Sequence, residues 1–249
     1  MYKKGIFFIL ILLVISSCSN KKSTNSNNEF DNIKVIPISH GSLILEYKDT
    51  TIYIDPVGIK EDYKSYNSPN FILITDIHSD HFNNKTLIEL KNVNTTLIVP
   101  EAVNKQLDSS LKKNAIVMNN NDISKISKNL TLEAVPMYNL REEALKFHPK
   151  GRGNGYVITI NNERIYISGD TEDIPEMRQL KNIDRAFVCM NLPWTMPVKN
   201  AADAVLDFKP KHVYPYHYRG TDGLSDVNEF KKIINKKNKK IDVHLLKWY

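Results

Sequence analysis

The chain is poor in cysteine and glycine and has no apolar run long enough to span a membrane. Its 249 residues include two cysteines, nine glycines and two tryptophans. Two cysteines cannot build a disulfide framework. Cys189 lies in the apolar run "RAFVCMNL" and reads as a buried core thiol. The apolar run from Ile6 to Ile15 falls short of the ~20 residues a membrane-spanning helix needs. No G-x-S-x-G stretch is present, so no nucleophile-elbow serine hydrolase is expected. Six lysines fall between 231 and 240 in "KKIINKKNKK", but no aromatic residue interleaves them. That favours a solvated helix face over a nucleic-acid surface. After residue 33 no Gly- or Pro-rich linker divides the chain and no repeat is visible.

The N-terminus has its own pattern. "MYKKGIFFILILLVISSC" carries a basic start, an apolar centre and small residues before Cys18. This is a secretory signal. Its end, Ile15-Ser16-Ser17-Cys18, resembles a bacterial lipobox, which implies cleavage before Cys18 and lipidation of that cysteine. With Cys18 so occupied, Cys189 has no partner for an intramolecular disulfide. Removing Lys3 and Lys4 lowers the formal charge from +6 to +4. The next stretch, "SNKKSTNSNNEFDN", is polar and rich in Ser and Asn, and reads as a flexible tether. The expected organisation is a signal peptide over 1–17, a tether over 18–32 and one domain over 33–249.

Within that domain, runs rich in Ile, Val and Tyr mark strands at 33–38, 43–47, 51–54, 71–74, 96–99, 115–118, 131–136, 155–160, 164–168, 185–190, 211–214 and 241–246. Helical patterns fall near 84–91, 101–112, 173–180, 199–207 and 225–235, with Pro100 placed to start the second and Ser225 to cap the last. Hairpins are expected around 48–50 and 161–163. Mixed sheets with helices on their outer faces suit this order, and two such sheets should stack.

The chemistry concentrates in "ITDIHSDHF", where Asp76, His78, Asp80 and His81 follow the apolar run "FILI". In an extended segment Asp76, His78 and Asp80 share a side, with His81 at the turn into the next helix. Four such side chains at a strand end are hard to satisfy by hydrogen bonds alone. A cation gathers them readily: imidazole and carboxylate suit zinc, and carboxylate-rich sets also suit manganese or iron. The plainer reading is a helix-capping cluster with two exposed histidines. Three further segments weigh against it. "IYISGD" ends in Asp170, "HVYPYHYRG" contains His217, and "KFHPKGRGNGYVI" puts His148 before a Gly-rich turn. His212 and His244, in strand patterns, read as structural. His40, in "SHGS", is either a turn histidine or a pocket-lining residue.

In the order "IYIDP", D-x-H-x-D-H, "YISGD" and a late His217, the sequence resembles the metallo-β-lactamase superfamily. "PISHGSLILEY", "HPKGRGNGYVI" and "LPWTMPVKNAADAV" look like its lactonase-like and phospholipase-D-like branch. The resemblance spans roughly residues 33–220. It implies a four-layer αββα sandwich of two mixed β-sheets flanked by helices, with a site for two divalent ions at one sheet edge. One ion would take Asp76 and His78. The other would take Asp80, His81 and His217, with Asp170 bridging. Asp55 would support these ligands from behind, and His40 is grouped with it. Two departures stand out. Relatives usually carry histidine where Asp76 stands, and a further histidine where this chain reads "PMYNL". Either His148 or Tyr138/Asn139 fills that last ligand position.

The function so implied is hydrolysis of an ester, lactone or phosphodiester by a metal-bound hydroxide, with Asp80 and Asp170 as catalytic carboxylates. The expected ions are two Zn2+, with Mn2+ or Fe2+ as alternatives. Arg141, Trp194, Tyr216 and Arg219 are candidates to bind a small-molecule substrate. The competing readings are a metal-binding but catalytically degenerate envelope lipoprotein and a scaffold that binds a partner. The expected address is the bacterial cell envelope, outside the cytoplasm, with the lipid on Cys18 as membrane anchor. Mass spectrometry of the mature N-terminus checks that address. A lipid-modified Cys18 is expected, and an unmodified Cys18 or a chain still starting at Met1 refutes it.

Overall fold

The computed structural model describes residues 1–2 and 33–249. The expected cleavage site, the tether and Cys18 lie outside the described residues. Residues 33–249 lie in one compact unit.

Chain order writes the topology. β1 (Ile33–Ser39), β2 (Ser42–Tyr47) and β3 (Thr50–Ile54) make an antiparallel meander. From β3 the sheet turns parallel through β4 (Phe71–Leu73), β5 (Thr96–Val99) and β6 (Ala115–Val117). The second sheet repeats the plan. β7 (Ile123–Ser127), β8 (Leu130–Met137), β9 (Gly153–Ile160) and β10 (Glu163–Ile167) meander. β11 (Arg185–Val188) and β12 (His212–Pro215) then run parallel to β10. A short ribbon of β13 (Arg219–Gly220) and β14 (Gly223–Leu224) follows β12, and β15 (Asp242–Val243) pairs parallel with it. The sheets have six and seven strands, in the orders β1-β2-β3-β4-β5-β6 and β15-β12-β11-β10-β9-β8-β7.

Parallel neighbours need crossovers, and helices supply them. α1 (Asn84–Leu90), α2 (Glu101–Gln106) and α3 (Ser109–Lys112) serve the first sheet. α4 (Pro175–Arg178), α5 (Val198–Phe208) and α6 (Val227–Lys237) serve the second. The strands are apolar on both faces because both faces are covered. Leu43, Leu45, Ile52, Ile54, Leu73 and Ile98 pack in one core with Tyr156, Ile158 and Ile167 of the second sheet. Their strand neighbours Ile44, Tyr53, Ile72, Leu97 and Val99 point the other way, onto Leu87, Val103 and Leu111 of the first helices. The period of two along the first sheet's strands therefore divides their side chains between two cores. This is the expected four-layer arrangement.

Local chemistry revises several expected boundaries. The helix expected over 101–112 breaks after Gln106, and Asp108 caps a new turn by accepting from the Ser110 amide at 2.8 Å. Asp226, not Ser225, caps α6, accepting from the amides of Asn228 and Glu229. Ser225 is instead bonded through its hydroxyl to the Met190 carbonyl. β7 went unanticipated because "ISKIS" spaces its two isoleucines three apart, without the period of two that marks a strand, and lies on a largely exposed edge. The β9–β10 hairpin turns on Asn161 and Asn162, both at positive φ (49° and 66°), as a two-residue turn requires.

Phe187 tests the larger core, the one the two sheets share. It is fully buried in β11 and stacks on Tyr214 with centroids 4.7 Å apart. Phe187→Ala should cost ~3–5 kcal/mol, the range for deleting a buried aromatic ring. Chemical denaturation should show a lower midpoint with an unchanged slope.

Candidate metal centre

The ends of the parallel strands bring the site together. β3 delivers Asp55, β4 leads to Asp76, β10 to Asp170 and β12 to His217. The β1–β2 turn adds His40, and the loop before β9 adds His148. Clefts at the carboxyl ends of parallel strands are common ligand sites in layered α/β proteins. Three of these residues, His40, Asp55 and His217, hold positive φ (52°, 44° and 47°). Such strain persists only where the surrounding structure enforces it.

The expectation that Asp76, His78 and Asp80 share one side is corrected. The amides of His81 and Phe82 both donate to the His78 carbonyl, at 3.0 and 2.8 Å, and curl the chain there. The quartet divides as a result. Asp76 and His78 join His148, while Asp80 and His81 join Asp170 and His217. Within each group one potential ligand atom per residue lies within 4.8 Å of the others. In the first, Asp76 Oδ2 is 2.7 Å from His78 Nδ1 and 3.9 Å from His148 Nε2. In the second, His217 Nε2 is 3.1 Å from His81 Nε2 and 3.4 Å from Asp80 Oδ2. Asp170 Oδ2 stands between them, 3.3 Å from His148 Nε2 and 3.4 Å from His81 Nε2.

Supporting contacts fix the ring orientations. Asp55 is wholly buried and accepts from the Thr75 amide (2.7 Å), the Thr75 hydroxyl (2.6 Å) and His81 Nδ1 (2.8 Å). That bond leaves His81 Nε2 free to face the cluster, as in carboxylate–histidine–metal triads. His148 Nδ1 lies 3.1 Å from the Trp194 carbonyl, so donation there leaves Nε2 as the free nitrogen. The open question at "PMYNL" is thereby answered in position. The Asn139 amide bonds to the carbonyls of Ala144 and Trp194, Tyr138 reaches Glu176, and His148 Nε2 points into the cluster.

The buried atoms His148 Nε2 and Asp170 Oδ1 have no hydrogen-bond partner. Orphaned buried groups are costly, and converging imidazole nitrogens and carboxylate oxygens are the donor set for a divalent ion. The residues therefore fit the metal. Electrostatics agree. Burial opposes charge on His81, yet Asp170 and Asp55 outweigh it and hold its pKa well above the ordinary imidazole value. Burial opposes ionisation of Asp170 too, but His217 and His81 keep its carboxyl well below the usual range.

The group opens into a cavity of about 460 Å³, lined among others by His40, Asp80, Phe147, Trp194 and Arg219. His40 is thus both the turn histidine and a pocket-lining residue. Its Nε2 is 3.3 Å from Asp80 Oδ2, its Nδ1 2.6 Å from the Tyr249 hydroxyl, and its ring lies tilted against that of His217, with centroids 3.8 Å apart. Two expected substrate contacts are corrected. Tyr216 is fully buried, its hydroxyl accepting from the Gly169 amide. Arg141 is a brace: it bonds to Glu172 at 2.6 Å and to the carbonyls of Pro193 and Thr195. Cys189 is buried, and burial pushes its thiol up to about 12. His212 and His244 gather with Asp242 where β12 meets β15, away from this cavity.

Sequence reasoning missed Arg152. Its Nε and a terminal nitrogen reach Asp76 Oδ1 and Oδ2 at 3.0 and 2.8 Å. The available signal was an arginine between two glycines in the motif loop "KGRGNG".

A two-sheet sandwich with this cluster at its strand ends is the architecture of metal-dependent hydrolases with the metallo-β-lactamase fold. Residues 51–218 match the model of the beta-lactamase superfamily domain, and the chain belongs to that superfamily. It is 28% identical over 204 residues to a UPF0173 metal-dependent hydrolase of Nanoarchaeum equitans, covering 80% of this chain and 91% of that protein. It is 40% identical to a metal-dependent hydrolase of Parabacteroides distasonis of known structure (TM-score 0.76), covering 86% of this chain and 92% of that one. Igni18, a metallo hydrolase of Ignicoccus hospitalis, shares the fold at 21% identity (TM-score 0.72), with 86% and 95% covered. The chain is a metal-dependent hydrolase of this superfamily.

Asp170 stands nearest to both groups, so its loss should be felt in both. Asp170→Ala should strip most of the bound metal, read by inductively coupled plasma mass spectrometry of the purified protein. Full retention places the bridge elsewhere.

Proposed function

We propose that the chain hydrolyses an ester, lactone or phosphodiester bond with two divalent ions, zinc by preference, held by Asp76, His78 and His148 on one side and Asp80, His81 and His217 on the other. Asp170 serves both. The observation that carries this reading is the place of one oxygen, Asp170 Oδ2, within 3.4 Å of an imidazole nitrogen from each group. Mixed imidazole and carboxylate donors favour zinc. When bound, the ions supply Lewis acidity, making water a nucleophile near neutral pH and polarising the scissile group.

The chain's own residues do the rest. Asp80 is the ligand-group carboxylate nearest solvent, with its side chain 42% exposed, and it lines the cavity. It is placed to accept a proton from the attacking water and hold it in line. His40 and His217 contact the same Oδ2 and fix its direction. Phe147 and Trp194 offer apolar walls, and Arg219 offers a cation for an anionic substrate group. The signal and lipobox pattern before Cys18 supports action in the cell envelope, tethered to a membrane by lipid.

A panel of phosphodiesters, lactones and acyl esters with zinc-loaded protein tests the activity. At least one class should turn over, and Asp80→Asn should lower its kcat by ~10²–10⁴-fold, the range for a positioned acid–base group. Full metal content with no turnover of any of the three classes overturns this assignment of the bond cleaved.

A further inference from the structure

We infer that Asp76 and Arg152 act as one ligand unit, a carboxylate oxygen offered to an ion with its charge cancelled by a guanidinium fixed behind it. The inference rests on the reading of Asp76, His78 and His148 as ligands of one ion.

Asp76 is fully buried, and a buried carboxylate is costly unless it is paired. Arg152 pairs with it through two parallel bonds, Nε to Oδ1 at 3.0 Å and a terminal nitrogen to Oδ2 at 2.8 Å. That is the fork geometry in which arginine binds a carboxylate most firmly. The guanidinium is itself held. The same terminal nitrogen donates to the Phe147 carbonyl and lies 3.4 Å from His78 Nε2, and the side chain is only 17% exposed. Asp76 Oδ2 keeps lone-pair capacity beyond the bond from Arg152, since each carboxylate oxygen accepts more than one partner. This oxygen faces His78 Nδ1 and His148 Nε2.

The other half of the site has no such partner. Among the described residues, the ion-pairing contacts of Asp80 and Asp170 are all with imidazoles: His40, His81, His148 and His217. The halves are therefore electrically unequal. In the Asp76 half the carboxylate belongs to a net-neutral pair with Arg152, while in the Asp80 half no guanidinium or ammonium offsets the carboxylates. Aspartate in place of a neutral histidine at position 76 would by itself add negative charge to the site, and the Arg152 guanidinium offsets it. The Asp76 half should hold its ion more weakly and leave more of that ion's charge for the substrate.

Zinc is the probe. Protein is equilibrated with zinc against a competing chelator, retained metal is counted by mass spectrometry, and folding is followed by circular dichroism. The parent should release two ions in two steps. Asp76→His should hold only one, because an uncompensated Arg152 cation faces the other position. Asp76→His combined with Arg152→Gln should hold two again. The inference falls if Asp76→His keeps both ions, or if the double variant holds no more metal than the single one. Should the double variant fail to fold, Arg152→Gln decides. It should bind the weaker ion at least tenfold more tightly, and unchanged or looser binding overturns the inference. A parent that binds no zinc refutes the metal reading itself, a separate result.

Discussion

Three carboxylates, Asp55, Asp76 and Asp170, are buried at one end of the two sheets, and the surrounding structure has to satisfy them. A buried carboxylate costs several kcal/mol unless donors or charge compensate. Each is answered differently. Asp55 takes two bonds from Thr75 and one from His81. Asp76 takes a guanidinium. Asp170 has only imidazoles within reach, and its Oδ1 has no hydrogen-bond partner. The unanswered carboxylate is the one between the two ligand groups, where a divalent ion does most to offset its burial.

The two sheets make this gathering possible. Each begins as an antiparallel meander and turns parallel, so both direct strand ends to one edge. Local strain then aims the side chains. Positive φ at Asp55 and His217 places residues just past β3 and β12 in a conformation that β-strands do not use. The gain from pairing buried charge can bear a local cost of order 1–3 kcal/mol per strained residue.

The fold was largely legible because the strands are apolar on both faces and the histidine–aspartate residues fall just beyond them. All seven candidate ligands lie in the two groups, including His148, which the sequence marks by the Gly-rich turn that follows it. What stayed hidden shares a cause: it depends on contacts distant in sequence. Arg152 meets Asp76 across 76 residues. Tyr216 looked like a surface aromatic beside a motif, but its hydroxyl is spent on the backbone at Gly169, 47 residues away. The side-chain period along "ITDIHSDHF" misled because two amides converge on one carbonyl and end the extended run. Ser225 and Asp226 could both cap α6, and only packing chose between them.

Arg141 shows how such distant contacts tie the cavity wall to the ligands. It does not face the cavity, yet it bonds to Glu172 and to the carbonyls on either side of Trp194. Glu172, two residues beyond Asp170 in the chain, in turn accepts from the amides of Leu140 and Arg141. The Trp194 carbonyl lies against His148 Nδ1, and Trp194 itself lines the cavity. One braced loop therefore sets both the wall a substrate would touch and the tautomer of His148. A change in that wall cannot be confined to substrate fit, because the carbonyl that orients His148 moves with it.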